Sequence, residues 1–232
     1  MKGGVGTFLL DLLTPIEELG QIDEEKGSGN GECAGWENGS LFGFIDDALK
    51  SNQNGAPSRL GRRFSSVVCD DPQPECADFI GMDKARTEVV FVHAKASDGD
   101  ARVGVSRLYE VCGQAVKNLA YLRMGNDTLP GKESKWDGIW QVAPEFFVKP
   151  RIRCGPKKAD AFRTQLFDLL RKPTTTREVW LVLGKTISKR AVQKAITKAS
   201  PAPALLQSFY LLSSTYSQCK SVGVDLKIFC SK

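Results

Sequence analysis

Apolar residues recur along the chain with two different spacings, and these spacings predict most of the regular structure. Residues 40–50 (SLFGFIDDALK) place apolar side chains at helical spacing behind Ser40, a favourable N-cap residue, which predicts a helix. A second helical pattern, and the longest in the chain, follows from Ser106 to Met124. Between them lie three short apolar runs separated by the turn sequences DPQP and DKAR, at residues 64–70, 75–82 and 88–96. These runs predict an antiparallel meander of three strands.

The second half of the chain alternates helical and strand patterns. Helices are predicted at residues 156–172, 188–199 and 204–223, and strands at 177–184 and 224–231. This alternation favours an α/β fold in which a mixed central sheet is flanked by helices. We expect one domain over residues 40–232, with its core motif at 64–122, preceded by an irregular N-terminal extension over residues 1–39.

Composition narrows the class of protein. The 232 residues are 41% hydrophobic and 25% charged, which is typical of a globular domain. Seven cysteines without a C-x-x-C pair indicate neither a zinc ribbon nor a paired disulfide framework, and the single histidine, His93, excludes zinc sites built from several histidines. No apolar stretch approaches the roughly 18 residues that span a bilayer. We therefore expect reduced thiols, no membrane partner and a cytoplasmic location.

The charge of the chain is unevenly distributed. Residues 149–232 carry 17 basic and 4 acidic side chains, whereas residues 1–148 carry 15 and 23. A basic C-terminal part favours a polyanionic partner such as DNA, although a solvated basic face is the ordinary meaning of such a pattern. Arg190, Lys194 and Lys198 form a stripe on one face of a predicted helix. The candidate phosphate contacts are Lys157, Lys158, Arg163, Lys189, Arg190, Lys194 and Lys198.

The residues with the clearest chemistry lie in and after the predicted meander. Alternate side chains of a strand share a face, so His93 and Lys95 should project together. A short turn can bring Asp78, in the preceding strand, beside His93. A carboxylate and an imidazole placed in this way can bind a divalent cation, and the ammonium group of Lys95 can orient water or stabilise phosphate charge. Asp71 and Glu75, which flank the preceding turn, are supporting candidate ligands.

This order of elements resembles the PD-(D/E)xK, or restriction-endonuclease-like, nuclease superfamily. The shared features are a helix, a meander with Asp78 in its second strand, Lys95 at the end of its third strand, and a long helix that carries Gln114, as in the RecB-like branch. The segments WENGSLFGFID, CDDPQPECADFI, VVFVHAKA and VCGQAVKNLAYL also resemble the C-terminal nuclease-like part of some large bacterial DEAD/DEAH-helicase-type proteins.

The resemblance implies a function and a role for each of these residues. Asp78 and His93 would bind Mg²⁺ or Mn²⁺, Lys95 would assist the attacking water, and Gln114 would help to hold the site. The implied activity is metal-dependent hydrolysis of DNA in bacterial defence or DNA processing. A helicase or other motor domain is an implied partner, and a homodimer is plausible for cutting both strands.

Two positions depart from the superfamily pattern. His93 stands where an acid is usual, and Asn118 stands where the RecB-like motif has tyrosine. Mg²⁺ prefers oxygen ligands, so the histidine favours an alternative in which the module no longer cleaves and serves for DNA binding or partner docking. Structural explanations also remain open. His93 can be a core residue, Lys95 can extend from a strand end towards solvent or pair with Asp78, and Trp136, Trp140 and Trp180 can be core or base-stacking residues.

Overall fold

The structure is a computed structural model. It describes residues 5–27, 36–37, 39–50, 57–71, 74–97, 104–131, 133–143, 146–148, 150–197, 200 and 202–232.

Six α-helices and nine strands lie in this described part of the chain. The helices are α1 (Val5–Leu12), α2 (Leu41–Leu49), α3 (Val105–Leu122), α4 (Ala159–Arg171), α5 (Lys189–Ile196) and α6 (Pro203–Ser221). The strands are β1 (Leu13–Ile16), β2 (Ser66–Cys69), β3 (Phe79–Asp83), β4 (Glu88–Lys95), β5 (Trp140–Ala143), β6 (Phe146–Val148), β7 (Ile152–Cys154), β8 (Thr176–Leu183) and β9 (Asp225–Ser231). Single 3-10 turns occur at Glu18–Gln21 and Glu133–Asp137.

Seven of the strands form one mixed sheet in the order β1-β9-β8-β4-β3-β2-β7. Strand β3 is antiparallel to both of its neighbours and β7 is antiparallel to β2, whereas β4, β8, β9 and β1 run parallel. The carboxyl ends of β2, β4 and β8 therefore lie at the same end of the sheet. Strands β5 and β6 form a separate hairpin.

Helices cover both faces of this sheet. One hydrophobic core lies between the sheet and helices α1, α3, α4, α5 and α6, and a second core lies between the sheet and α2. The central strand β4 contributes to both cores. Val89 and Phe91 belong to the first core, and Val90 and Val92 to the second, as the alternation of side chains along a strand requires. The predicted α/β class, with a mixed sheet flanked by helices, is confirmed.

The elements predicted from hydrophobic spacing are also present. The Ser40 hydroxyl accepts a hydrogen bond from the Gly43 backbone N–H at 3.1 Å and so caps α2 as expected. The three predicted strands form the antiparallel meander β2-β3-β4, in which Phe79 pairs with both Cys69 and Val92. The long pattern after the meander is α3.

The N-terminal residues differ from the expected irregular extension. Helix α1 buries Leu9 in the first core, and β1 joins the main sheet by parallel pairing of Leu13 with Ile228. The sequence does not predict this strand, because the strand is four residues long, contains Pro15 and pairs with a strand at the other end of the chain. Proline is tolerated there because β1 is an edge strand.

No helix in the described part of the chain has the length and apolar character needed to cross a membrane.

Replacing Leu13 with alanine tests whether β1 is integral to the fold. Leu13 is buried, whereas its neighbour Thr14 is exposed on the same edge strand. We expect Leu13→Ala to lower the free energy of unfolding by about 2–5 kcal/mol in urea titrations, because it leaves a cavity in the core. Thr14→Ala should stay within about 0.5 kcal/mol of wild type. Equal stability of the two variants would contradict the assignment of β1 to the core sheet.

Candidate functional site

The candidate site lies at the carboxyl ends of β2, β4 and β8. There the segment that contains residues 22–26 crosses the ends of the strands and leads to α2. It is fixed by hydrogen bonds from the Lys185 N–H to the Ile22 carbonyl, at 3.2 Å, and from the Leu41 N–H to the Glu24 carbonyl, at 2.9 Å. At Gly184, a Cβ atom would lie 2.7 Å from the Ile22 carbonyl oxygen. Glycine therefore allows the segment to lie directly on the strand ends.

Three buried carboxylates meet below this segment. Asp71 follows β2, Asp78 precedes β3, and Glu75 lies in the connection between them. One side-chain oxygen from each comes within 4.8 Å of the other two. The end of the antiparallel ladder fixes this arrangement, because the Asp70 and Asp71 N–H groups both point to the Asp78 carbonyl, at 2.9 and 3.5 Å. We call Asp71, Glu75 and Asp78 the acidic triad.

Asp70, next to the triad in sequence, has a different environment. Its carboxylate accepts hydrogen bonds from the Cys76 N–H and from Trp136 Nε1, both at 2.7 Å, and pairs with Lys135 Nζ at 2.8 Å. These donors occupy both carboxylate oxygens. Asp70 therefore holds the turn after β2 in place and supports the triad without joining it.

Asp71 pairs with Lys26, a cation of the crossing segment. Lys26 Nζ lies 2.8 Å from one oxygen of Asp71, and Trp140 Nε1 donates to the other at 2.6 Å. The same ammonium group lies 5.3 Å from the centroid of the Phe42 ring. Burial opposes the charge of Lys26, but the attraction of Asp71 and Asp78 outweighs it and raises the Lys26 pKa.

Asp78 and Glu75 have fewer partners. One oxygen of Asp78 accepts a hydrogen bond from the Ala94 N–H at 2.7 Å, whereas Glu75 Oε2 is buried without a hydrogen-bond partner among the described residues. Burial, followed by the negative charge of Asp71, raises the pKa of Glu75 to about 7. The same causes, with Glu75 added, raise the pKa of Asp78 well above its ordinary value. A bound proton or another cation therefore stabilises the triad.

Lys95 lies at the edge of this acidic region. Its Nζ is 3.0 Å from Glu110 Oε2 on α3 and 3.4 Å from Glu25 Oε2 in the crossing segment. Burial opposes its charge, but pairing with these two acids raises the Lys95 pKa. Glu25 also acts on the triad, since its charge contributes to the raised pKa of Asp78. Lys95 and the triad thus share Glu25 as a neighbour.

The structure does not bring His93 into the triad, contrary to the sequence prediction. His93 is buried, and its Nε2 has no hydrogen-bond partner in the described structure. His93 lies two residues after Phe91 on β4, so both side chains project from the same face of the sheet, towards the core beneath α3. Burial, and then the charge of Lys117 on α3, lowers the His93 pKa to about 3. The imidazole is therefore neutral, and the acidic side chains grouped with Asp78 are Asp71 and Glu75, without His93.

Helix α3 carries the predicted site residue Gln114 and the position that departs from the motif, Asn118. Gln114 is half-buried one helical turn after Glu110, and it makes no side-chain hydrogen bond within the described part of the chain. Asn118 is buried on the same helix. Sequence reasoning missed Glu25 and Lys26, because they lie in a Gly- and acid-rich segment that has no periodic pattern.

The predicted phosphate contacts occupy different surroundings. Lys157, Lys158, Arg190 and Lys194 are exposed, Arg163 is half-buried and lies 3.9 Å from Asp160, and Lys198 falls outside the described residues. Lys189 has a structural role, because its Nζ donates to the Leu13 carbonyl at 2.8 Å and so ties α5 to β1. Strand β1 is four positions from β3 in the sheet, so roughly 19 Å separates these two strands.

No family model, curated protein or solved structure matches this chain.

The assignment of Asp70 to a supporting role predicts a loss of stability on truncation. Asp70→Ala removes the carboxylate that accepts from the Trp136 and Cys76 N–H groups and pairs with Lys135. We expect the free energy of unfolding to fall by about 3–5 kcal/mol in urea titrations. Asp127→Ala, at an exposed carboxylate, is the control and should change it by less than about 0.5 kcal/mol. A loss for Asp70→Ala no larger than for this control would show that Asp70 does not hold the turn.

The raised carboxylate pKa values predict a pH dependence of stability in EDTA. The ordinary pKa of Glu75 is 4.5, whereas its folded-state pKa is about 7. Between these values the folded state binds more protons than the unfolded state, so the free energy of unfolding should fall as pH rises from about 4.5 to 7. Asp78 changes stability in the same direction.

Glu75→Gln should flatten this decline, because the amide cannot ionise. Thermal unfolding of wild type, Glu75→Gln and the exposed control Glu17→Gln across this pH range provides the measurement. An equally steep decline in all three proteins would show that Glu75 ionises normally.

Proposed function

We propose that this protein is a metal-dependent nuclease that hydrolyses phosphodiester bonds of DNA, and that Asp71, Glu75 and Asp78 bind Mg²⁺ or Mn²⁺. The observation that carries this proposal is the unpartnered oxygen of Glu75, which is buried within a cluster of three acidic side chains. A buried carboxylate oxygen without a donor is costly unless a cation or a proton satisfies it.

The chemistry of the donors fits a hard divalent cation. All three triad side chains offer carboxylate oxygens, which are the ligands that Mg²⁺ and Mn²⁺ prefer. Crowding of these oxygens raises the pKa values of Glu75 and Asp78, and a divalent charge would relieve the same repulsion. The replacement of an acid by His93, which argued against magnesium in the sequence, has less weight because Asp71 and Glu75 supply the missing carboxylates.

The surrounding residues have roles that suit phosphodiester hydrolysis. A bound divalent cation supplies charge stabilisation at the phosphate and lowers the pKa of a bound water. Lys95, held between Glu25 and Glu110, places a positive charge at the edge of the acidic region, where it can orient the attacking water or stabilise negative charge on the phosphate. Trp140 and the Ala94 N–H fix the orientation of the Asp71 and Asp78 carboxylates.

The order of elements also supports the resemblance to the PD-(D/E)xK superfamily. A helix (α2) precedes the meander, Asp78 comes directly before its second strand, Lys95 ends its third strand, and α3 follows. The exposed cations Lys157, Lys158, Arg190 and Lys194 are available for phosphate contacts along a bound DNA. A helicase or motor partner and a role in bacterial defence belong to this proposal through the resemblance alone.

A second candidate function is a nuclease-like module that binds DNA or a partner without cleaving. The salt bridge between Lys26 and Asp71 favours it, because an internal ammonium group already neutralises part of the triad. In this alternative Lys26 replaces the divalent cation permanently. The two functions therefore differ in whether a divalent cation binds at the triad.

A plasmid-nicking assay with Mg²⁺ and with Mn²⁺ tests the nuclease. We expect metal-dependent cleavage by wild type and a loss of roughly 100-fold or more for Asp78→Asn and for Lys95→Ala, because each removes a group that acts on the cation or the phosphate. His93→Gln and Asp47→Asn are the controls, since His93 faces the core and Asp47 is an exposed carboxylate outside the triad. Both should keep activity within about threefold of wild type when correctly folded by circular dichroism.

Calorimetric titration with Mn²⁺ separates the two candidate functions. Binding that Glu75→Gln weakens, together with cleavage, supports the nuclease. DNA binding without Mn²⁺ binding and without cleavage supports the inactive module. Cleavage that survives in both Asp78→Asn and Lys95→Ala would contradict the proposed mechanism.

A further inference from the structure

An open cavity at the C-terminal end of α2 is lined mainly by cations. It has a volume of about 590 Å³, which is within the range of small-molecule sites. Seven described residues line it, of which four are basic and one, Asp47, is acidic. The basic residues are Lys50, Arg59, Arg63 and Arg153. Only Arg153 belongs to the basic C-terminal part of the sequence, so the distribution of charge along the chain did not indicate this cavity.

Arg153, on β7, is the buried member of this set. Its side chain is 7% exposed, and its Nε and Nη2 donate to the two carboxylate oxygens of Asp46, each at 2.9 Å. Lys50 Nζ also lies 2.9 Å from Asp46, which is itself buried. One carboxylate therefore holds two cations at the cavity. This pairing fixes their positions but offsets only one of their two charges.

Arg63 and Arg59 are positioned by neutral groups. Arg63 Nη1 donates to the Asp47 and Lys50 carbonyls, each at 2.6 Å, at the C-terminal end of α2. Arg59 is exposed, and its Cζ lies 4.3 Å from the centroid of the Phe44 ring. Contacts with carbonyls and a ring do not remove a positive charge. With Asp46 and Asp47 both counted, four cations and two acids leave a surplus of two positive charges among these described residues.

We infer that this cavity binds a terminal phosphate group, such as that of a nucleotide or of the 5′ end of a DNA strand. A phosphate monoester carries a charge of about −1.5 to −2 at neutral pH, which matches the surplus of positive charge. Guanidinium groups bind phosphate oxygens through paired hydrogen bonds. Because Arg153 is nearly buried, a ligand must enter the cavity to approach it, and a terminal phosphate can do so end-on. A phosphodiester within a strand has a nucleoside on both sides and fits less well.

The phosphate, rather than a stacked base, should supply the affinity. Trp136, Trp140 and Trp180 are fully buried core residues and offer no surface on which a base could stack. The ring of Phe44 is also buried and already contacts Arg59. The cavity should therefore distinguish ligands by whether they carry a terminal phosphate. This inference does not depend on metal binding at the triad.

Titration calorimetry in EDTA with inorganic phosphate, AMP and adenosine tests the inference for small ligands. We expect phosphate and AMP to bind and adenosine not to bind. Arg59→Gln should weaken the binding of AMP about tenfold, because it removes a charge-assisted contact, whereas Arg59→Lys keeps the charge and should lose less. Arg123→Gln is the control, at an exposed arginine that ends α3 on the other face of the sheet. It should bind AMP within about twofold of wild type.

Fluorescence anisotropy with one DNA oligonucleotide, labelled at its 3′ end and prepared with and without a 5′ phosphate, tests the strand end as the source of the phosphate. If the 5′ phosphate tightens binding to wild type but not to Arg59→Gln, the ligand is a DNA end. If AMP binds and the 5′ phosphate has no effect, the ligand is a small phosphate compound. Both outcomes support the phosphate site.

Two results would overturn the inference. The first is that neither phosphate nor AMP binds more tightly than adenosine and the 5′ phosphate has no effect. The second is that correctly folded Arg59→Gln binds every phosphate ligand as tightly as wild type does. Because these measurements are made in EDTA, failure of the phosphate site leaves the nuclease proposal intact. Conversely, an absence of metal-dependent cleavage would not remove the phosphate site.

Discussion

Repulsion among three buried carboxylates is the interaction on which the rest of the candidate site depends. Asp71, Glu75 and Asp78 bring oxygens within 4.8 Å of one another at the end of the sheet, where little water can screen them. The surrounding structure holds them there through Trp140 and the Ala94 N–H, and Lys26 provides only one positive charge. Such a cluster stays folded only if a proton, an ammonium group or a metal ion offsets the repulsion. This requirement connects the raised pKa values, the position of Lys26 and the proposed metal binding.

The sheet topology explains why the site forms at this position. Antiparallel pairing of β2 with β3 places Asp71 and Asp78 on adjacent strand ends, and the parallel strands β4 and β8 end at the same side. The segment around Glu25 and Lys26 can cross these ends because Gly184 leaves room for its backbone. Residues that lie far apart in the sequence therefore meet because the strands end together.

Hydrophobic spacing in the sequence was sufficient to predict α2, the meander, α3 and the mixed α/β class, because each of these elements carries a local pattern. Strand β1 could not be found in this way, since its partner Ile228 lies at the opposite end of the chain. In the site, Asp78, Asp71 and Glu75 were identified from their residue types and their turn. The sequence grouped His93 with Asp78. Alternation shows which side chains of a strand share a face, but it does not show which of the two hydrophobic cores that face contacts. Lys26 and Glu25 have no local signal, and only the crossing of the strand ends brings them to the triad.

The central claim is that a divalent cation binds at the triad in place of the Lys26 ammonium group. Anomalous diffraction from crystals grown with Mn²⁺ tests this claim most directly, because it locates the ion independently of activity. We expect a manganese peak bound by oxygens of Asp71, Glu75 and Asp78, with Lys26 Nζ moved away from Asp71. An absence of manganese from the triad, with the Lys26–Asp71 salt bridge intact at saturating Mn²⁺, would contradict it.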